Sequence, residues 1–222
     1  MARRFVLVEI LDREVRYLLE ELRSVFNGRR SNTPVHVTIR GPYPTPVGEE
    51  LIESLTERLR KDVLLIAGVG MFKSPTRAVV FLRVKSKRLR GVWWKPDFPT
   101  KTHGFQPHIS LYEGPRLDLA EAIYQFLKVE RIELVSHEFQ VVSYASGQFP
   151  SFYESPNVSR GSASQLVASG CIKEGILARA RRLMKQHERQ LALFSDSTDV
   201  DADHEGFQER EPLMVAAASS KH

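Results

Sequence analysis

The sequence has one cysteine in 222 residues and no long hydrophobic run. The single thiol, Cys171, cannot form an internal disulfide, so the composition favours a reduced, cytoplasmic protein. No apolar stretch approaches the roughly 20 residues that a helix needs to cross a bilayer. The apolar stretch near the N-terminus is short and soon interrupted by charges, unlike a secretory signal peptide. We therefore expect no membrane partner.

Acidic residues are outnumbered by basic ones in most of the chain. The net charge is +5, but residues 195–222 contain seven acids and two bases and so carry −5, which leaves +10 on the first 194 residues. A basic body favours an anionic partner such as RNA or a nucleotide, although a merely soluble basic protein has the same composition. The acidic segment at 195–222 is predicted to be a disordered tail.

Apolar periodicity predicts the order strand, helix, strand, helix, strand, strand, helix, strand, helix, strand. This order indicates an α+β fold with mostly antiparallel sheets flanked by helices, in a domain that covers residues 1–145. Residues 131–146 are predicted to form one long strand or a hairpin. A segment rich in Gly, Ser and Pro at 146–169 is predicted to be a linker.

An amphipathic helix is predicted at 170–194. Its apolar stripe could pack back on the body of the protein or bind a protein partner, and the sequence does not decide between them.

Two short segments share one frame: VHVTIRGPY at 35–43 and PHISLYEGP at 107–115. Each has a histidine, an aliphatic residue, a hydroxyl residue, a second aliphatic residue and then a Gly-Pro pair. Because side chains at i and i+2 of a strand share one face, His36 and Thr38 should lie opposite the core, as should His108 and Ser110.

The repetition carries more information than either segment alone. A His-x-Ser/Thr match arises by chance about once in a protein of this size, and an isolated histidine is usually structural. A duplicated frame at a spacing of 72 residues is much less expected by chance. A zinc site is a rival interpretation, but no residues at ligand spacing accompany either segment. We therefore expect no metal and no cofactor.

HVTI and HISL resemble the paired His-x-Thr/Ser-x signatures of the 2H phosphoesterase superfamily, and HVTIRGPY is most similar to its 2′-5′ RNA ligase-like, cyclic phosphodiesterase branch. The resemblance covers residues 3 to about 145. It implies a bilobed, pseudo-twofold fold whose two motif strands face a central groove. It also implies metal-independent chemistry on 2′,3′-cyclic phosphates or 2′-5′ linkages of RNA or nucleotides, by hydrolysis or reversible ligation.

The residue types suit phosphodiester cleavage, which needs one base and one acid on opposite sides of the phosphorus. Imidazole titrates near neutral pH, so His36 and His108 are the expected catalytic pair, without an assignment of which is the base. Thr38 and Ser110 are the expected phosphate-binding residues, since hydroxyls can donate to the non-bridging oxygens.

Further candidates lie beside the motifs. Arg40 and Tyr112 each follow their histidine by four residues and are predicted to continue the row that faces the groove, where they would bind substrate together with Tyr43. Solvent-facing strand ends are the alternative interpretation of Arg40 and Tyr112.

A basic run between Arg83 and Lys101 contains Trp93 and Trp94, and this composition is typical of an RNA approach surface or of a solvated helix with buried tryptophans.

Two other functions remain open at this stage. The first is a nucleotide- or RNA-binding module with little turnover, and the second is a phosphodiesterase of cyclic nucleotides or cyclic oligonucleotides. The intact histidines and hydroxyls of both segments favour catalysis over binding alone.

Overall fold

The structure is a computed structural model that describes residues 3–31, 33–145 and 163–196. The chain divides into two units, Met1–Lys185 and Gln186–His222. Within the described ranges the elements are β1 Arg4–Ile10, α1 Arg13–Asn27, β2 His36–Tyr43, α2 Glu49–Leu59, β3 Leu64–Lys73, β4 Ala78–Lys85, α3 Leu89–Val92, α4 Thr100–His103, β5 His108–Gly114, α5 Leu117–Glu130, β6 Glu133–Ser136, β7 Phe139–Ala145 and α6 Ala163–Asp196.

The strands of the first unit form two antiparallel sheets. One has the strand order β2-β1-β7 and the other has the order β5-β4-β3-β6. Each motif strand pairs with the strand before it and lies at the edge of its sheet, and the two edge strands β2 and β5 contact each other. The expected α+β, bilobed fold with related halves is confirmed.

The apolar alternation of the motif strands directs one face of each strand into the core. Val37 and Ile39 are fully buried, and Ile109 and Leu111 are buried in the same cluster. Helices α1 and α5 cover the four-stranded sheet, and α2 packs on β7 of the three-stranded sheet. Burying each of these side chains contributes about 1.5–3 kcal/mol, which fixes the face that the intervening histidines and hydroxyls occupy.

Helix α1 begins and ends at residues with a physical preference for those positions. Asp12 accepts a hydrogen bond from the backbone N–H of Val15 at 3.3 Å, as an N-cap does. Gly28 ends the helix in the left-handed region with φ 66°, and its N–H donates to the carbonyl of Val25. Asn27 in the last turn reaches β5, where it contributes to the site described below.

Strands β6 and β7 belong to different sheets, so the sequence-based prediction of one long strand or a hairpin at 131–146 is wrong. The chain passes from one sheet to the other at His137 and Glu138. The carbonyl of Glu138 accepts hydrogen bonds from the N–H groups of Leu11 and Asp12, at 2.9 and 3.1 Å. These bonds hold the crossing against the end of β1.

Helix α6 begins at Ala163, before the predicted start at 170. Residues 146–162 of the predicted linker and residues 197–222 of the predicted tail lie outside the described residues, and the proposed domain boundary at 145 stays a prediction. In the first unit, Ile176, Leu177 and Ala180 are buried. Arg179 donates to both carboxylate oxygens of Glu130 on α5, at 2.7 and 2.6 Å.

Helix α6 thus packs on the body within the first unit. No helix in the described part of the chain combines the length and the apolar character that crossing a membrane requires.

Candidate active site

The two motifs place their polar side chains on the face of each sheet that is opposite the core. We call this face the groove face; it carries His36 and Thr38 in one sheet and His108 and Ser110 in the other, all half-buried. Directly across the ladders, Leu7 lies opposite Thr38 and Phe81 lies opposite Ser110.

Leu7 and Phe81 are 2% and 1% exposed, yet neither belongs to the main core cluster. Each is therefore the apolar support beneath one hydroxyl residue, because side chains directly opposite each other in a ladder share one face of the sheet.

Both histidine rings are oriented by the same kind of hydrogen bond. Nδ1 of His36 lies 2.8 Å from the carbonyl oxygen of Pro34, and Nδ1 of His108 lies 2.7 Å from that of Gln106. A carbonyl can only accept, so Nδ1 of each ring carries the hydrogen and donates it. Nε2 is then the nitrogen of each ring that can release or take up a proton.

Burial lowers the pKa of both rings. The pKa of His36 falls to about 4, chiefly because burial penalises the imidazolium; the bond to Pro34 opposes this shift, and the charges of Arg23, His108 and Lys95 add to it. Burial also lowers the pKa of His108, with the bond to Gln106 opposing and Lys95 adding to the shift. The charge of His108 thus acts on His36, and their strands β2 and β5 contact each other.

A cavity of about 230 Å³ opens beside the first motif. A liquid water occupies about 30 Å³, so the cavity has room for a phosphate and part of a sugar. Its lining consists of Phe5, Leu7, His36, Thr38, Lys95, Tyr144 and Ala145. A second cavity of about 170 Å³ contains His137 in its lining but no residue of either motif.

The wall around His108 is aromatic. The ring of His108 lies 4.6 Å from that of Phe81 and 5.3 Å from that of Phe72. A side chain at position 70 would overlap the ring of Phe81. Glycine at this position therefore allows the Phe81 ring to pack against the ring of His108. Phe72 also contacts Phe98, with 5.5 Å between the ring centroids.

Arg40 and Tyr112 do not continue the row that faces the groove. Tyr112 is 5% exposed within the core, and its hydroxyl donates to the carbonyl of Arg116 at 3.3 Å. Nε of Arg40 donates to the carbonyl of Val92 at 2.8 Å. The prediction of a groove-facing Tyr112 is wrong, and Arg40 is occupied at the end of α3.

The cause is a β-bulge in each motif strand. The ladder register shifts between Thr38 and Arg40 and again between Ser110 and Tyr112, so one extra residue interrupts the alternation in each strand. The extra residues are Ile39 and Leu111.

The carbonyls of these extra residues find donors outside the sheets. The N–H of Trp94 donates to Ile39 at 3.0 Å, and the side-chain amide of Asn27 donates to Leu111 at 2.8 Å. Both bulges are therefore satisfied by hydrogen bonds, as buried backbone groups in native structures are.

Tyr43 lies at the end of β2 and packs on Trp94. Their ring centroids are 5.0 Å apart with planes inclined by 31°, and Trp94 is 45% exposed. Tyr43 is partly buried against the core, and the exposed Trp94 offers a flat surface on which a nucleobase can stack.

Two site residues escaped the sequence analysis. Glu9 lies opposite His36 across the β1–β2 ladder, is fully buried, and accepts from the amide of Gln140 at 2.9 Å while Arg16 lies 3.5 Å away. The alternation of RFVLVEI places Glu9 on the face of Leu7, which is the signal that could have identified it. Lys95 was included in the basic run but was not selected as a site residue.

The exposed cations Arg83 and Lys85 lie on the groove face of the four-stranded sheet. Arg83 is directly opposite His108 across the β4–β5 ladder, and Lys85 follows two residues later on the same face. Trp93 of the same run packs against the core and against Phe105, at 5.2 Å between ring centroids.

The described residues contain no group of three His, Cys, Asp or Glu side chains that could hold a metal ion.

Comparison with known proteins agrees with this geometry. The sequence model of the 2′-5′ RNA ligase superfamily matches residues 11–148, a range that contains both motifs and strands β2 to β7, while β1 lies before it. No curated protein and no solved structure shows significant similarity to the chain. With more than half of its length matched by that model, the chain belongs to the 2′-5′ RNA ligase superfamily of 2H phosphoesterases.

Proposed function

We propose that the protein is a phosphoesterase that cleaves 2′,3′-cyclic phosphates or 2′-5′ phosphodiester linkages of RNA or nucleotides, with His36 and His108 as the acid–base pair. The observation that carries this proposal is the common orientation of the two rings. Each is fixed through Nδ1 by a carbonyl two residues upstream, which leaves Nε2 of each available for proton transfer.

The two rings come from edge strands of different sheets, and those strands contact each other. A phosphate bound between them meets one imidazole on each side, which suits in-line attack and departure. One histidine accepts the proton of the attacking water or hydroxyl, and the other donates a proton to the departing oxygen. Exchanging these roles reverses the reaction, so the same site could also ligate.

Thr38 and Ser110 are the proposed ligands of the non-bridging oxygens. Each hydroxyl residue follows its histidine by two positions on a rigid strand and rests on a buried apolar residue, Leu7 or Phe81. Donors that are held in place before the reaction stabilise the charge that develops on the phosphate.

An RNA or nucleotide substrate suits the surroundings of the motifs. The exposed Arg83 and Lys85 lie beside His108 on the groove face and can contact further phosphates of a strand. The aromatic pair of Tyr43 and Trp94 can stack with a base.

The test is hydrolysis by purified protein, with EDTA present, of 2′,3′-cyclic nucleotides, RNA ending in a 2′,3′-cyclic phosphate, and 2′-5′-linked dinucleotides. Removing either member of an acid–base pair typically costs 10²–10⁴-fold, so we expect His36→Ala and His108→Ala each to lose about that much in kcat. His137→Ala is the matched control, because His137 is exposed and lies outside both motifs.

Activity that survives EDTA and is lost in both motif variants, but not in H137A, would support the proposal. If the wild type binds these RNAs or nucleotides but turns over none of them, the protein is instead a binding module. Undiminished turnover in H36A or in H108A would overturn the acid–base assignment.

A further inference from the structure

Lys95 is held over the groove by main-chain hydrogen bonds. It lies in the connection between α3 and α4, where Trp94 adds to β2 as a short parallel bridge opposite Arg40. The N–H of Trp94 donates to Ile39 at 3.0 Å, and the N–H of Gly41 donates to Trp94 at 3.2 Å. These bonds fix the position of the Lys95 backbone beside β2. The side chain of Lys95 lines the cavity together with His36 and Thr38.

The ammonium of Lys95 is half-buried without a carboxylate at its end. Nζ lies 5.9 Å from the ring centroid of Trp93 and 5.6 Å from that of Phe98. In the part of the chain that the structure describes, no salt bridge to Lys95 is formed, although the charge of Asp97 partly offsets the lowering of its pKa by burial. A half-buried cation that lines a cavity together with an imidazole and a hydroxyl is a suitable site for an anion.

We propose that Lys95 is a further catalytic residue, whose ammonium binds a non-bridging oxygen of the reacting phosphate in the cavity beside His36 and Thr38. This proposal rests on the proposed function. Among the residues that line the cavity, Lys95 supplies a positive charge while His36 is neutral. The phosphate of the substrate is anionic and gains charge as the attacking oxygen approaches, so the lysine contributes most in the transition state.

The charge of Lys95 acts on both rings and not on one alone. Its charge lowers the pKa of His36 and also that of His108. An anion that binds next to Lys95 has the opposite effect and favours protonation of an imidazole. Substrate binding would therefore help to create the protonated histidine that serves as the acid.

The first experiment measures binding of inorganic phosphate through the ring proton signals of His36 and His108 in NMR titrations. A lost charge-assisted hydrogen bond weakens binding about tenfold or more, so we expect Lys95→Gln to show that loss and Lys95→Arg to recover part of it. Independently of phosphate, K95Q should raise the pKa of both rings, because a nearby positive charge has been removed.

The second experiment compares hydrolysis of a 2′,3′-cyclic nucleotide. Removing one preorganised donor to a developing oxyanion costs about 10²–10³-fold, and we expect K95Q to lose that much, mainly in kcat. The matched control is Lys101→Gln in α4, an exposed lysine of the same connection that does not line the cavity. Thermal unfolding of each variant establishes that the fold is retained.

The outcomes separate the two proposals. If K95Q binds phosphate like the wild type and keeps kcat/KM within about twofold, Lys95 is not a ligand and the phosphoesterase proposal is unaffected. A third outcome is that the wild type binds phosphate but cleaves none of the substrates, and that K95Q, unlike the Lys101→Gln control, no longer binds phosphate. The proposed reaction is then wrong, and the anion site at Lys95 is supported.

Discussion

At the scale of single residues, the two histidines share one geometry but have different neighbours. Arg23 donates to the carbonyls of Thr33 and Pro34, and the Pro34 carbonyl is the same one that orients His36. Burial is the largest cause of the lowered pKa of both rings; the charge of Arg23 adds to it at His36, whereas no arginine contributes at His108. The site is thus symmetric in its backbone and asymmetric in its charged neighbours.

The buried ring of His36 predicts a pH dependence of stability. Its pKa is about 4 in the folded protein against 6.5 for an unperturbed histidine, so between these two pH values the unfolded chain binds more protons. The free energy of unfolding must then fall as the pH is lowered through this window. From these two pKa values, we expect the free energy of unfolding of the wild type to fall by about 2 kcal/mol more than that of His36→Gln between pH 7 and pH 5.

Urea unfolding at the two pH values measures this difference. His137→Gln is the control, because that histidine is exposed and should leave the pH dependence of the wild type in place. If the free energy of unfolding falls equally in the wild type and in H36Q between pH 7 and pH 5, the ring of His36 is hydrated and titrates in the folded protein much as it does in the unfolded chain.

Individual residues differ in how far the sequence could identify them. His36, Thr38, His108 and Ser110 were identified because a frame of local spacing occurs twice. Lys95 could not be selected in this way, because its place in the cavity depends on hydrogen bonds between Trp94 and β2, more than 50 residues earlier in the chain. Local spacing contains no information about such pairings.

At the scale of elements, the row of cations on β4 extends the groove face beyond His108. Arg83 and Lys85 are two residues apart on one strand, so both side chains point to the same face, about 6.6–6.8 Å from one another along the strand. That arrangement can follow the phosphates of an RNA strand away from the reacting group.

We therefore predict that the double variant R83Q/K85Q binds an oligoribonucleotide more weakly and with less salt dependence. For single strands the slope of log K against log salt falls by about 0.7 for each phosphate contact that is lost. A 2′,3′-cyclic mononucleotide has no second phosphate, so its KM should not change. The measurement is a fluorescence titration at several salt concentrations, with the exposed Lys128→Gln of α5 as the control.

An equal effect of R83Q/K85Q on the mononucleotide and on the oligonucleotide would contradict a strand path over β4. It would indicate that the two cations act on the reacting phosphate itself or raise the electrostatic potential throughout the groove.

The elements were predicted better than their irregularities. The strand–helix order and both motif strands follow from the periodicity of apolar residues. The bulges at Ile39 and Leu111 could not be predicted, because the sequence continues its alternation through them and only the partner strands reveal the shift. For the same reason, the placement of Tyr112 and the division of β6 and β7 between two sheets were missed.

At the scale of the whole molecule, the part of helix α6 that belongs to the first unit contacts α1 and α5. Its bidentate bond from Arg179 to Glu130 joins α5, and Arg181 contacts Glu21 of α1 at 3.3 Å. The sequence left open whether this helix packs on the body or binds another protein, since an apolar stripe fits both. The buried positions of Ile176, Leu177 and Ala180 show packing on the body within the first unit.

This packing predicts a stability effect without a catalytic effect. Leu177 is fully buried, and a Leu→Ala substitution at such a position typically costs about 2–5 kcal/mol of unfolding free energy. We expect Leu177→Ala to show that loss in chemical denaturation while kcat/KM for a cyclic phosphate stays unchanged, since the ion pairs of Arg179 and Arg181 tie this part of the helix to α5 and α1. Arg182→Ala, exposed on the same helix, should change stability by less than about 0.5 kcal/mol.

If L177A is about as stable as the wild type, the helix is only loosely attached to the body in solution. Its apolar stripe would then be better interpreted as a binding surface for a protein partner.

The hydrogen bonds that orient the two imidazoles end on main-chain oxygens of residues 34 and 106. Every amino acid supplies such an oxygen, so the chemical identity of these two residues is free to vary while the tautomer of each ring is kept. A substitution scan of the protein will therefore report positions 34 and 106 as tolerant wherever the chain path is preserved. Replacing the amide linkage itself by an ester, which weakens the acceptor, is what would reveal their contribution.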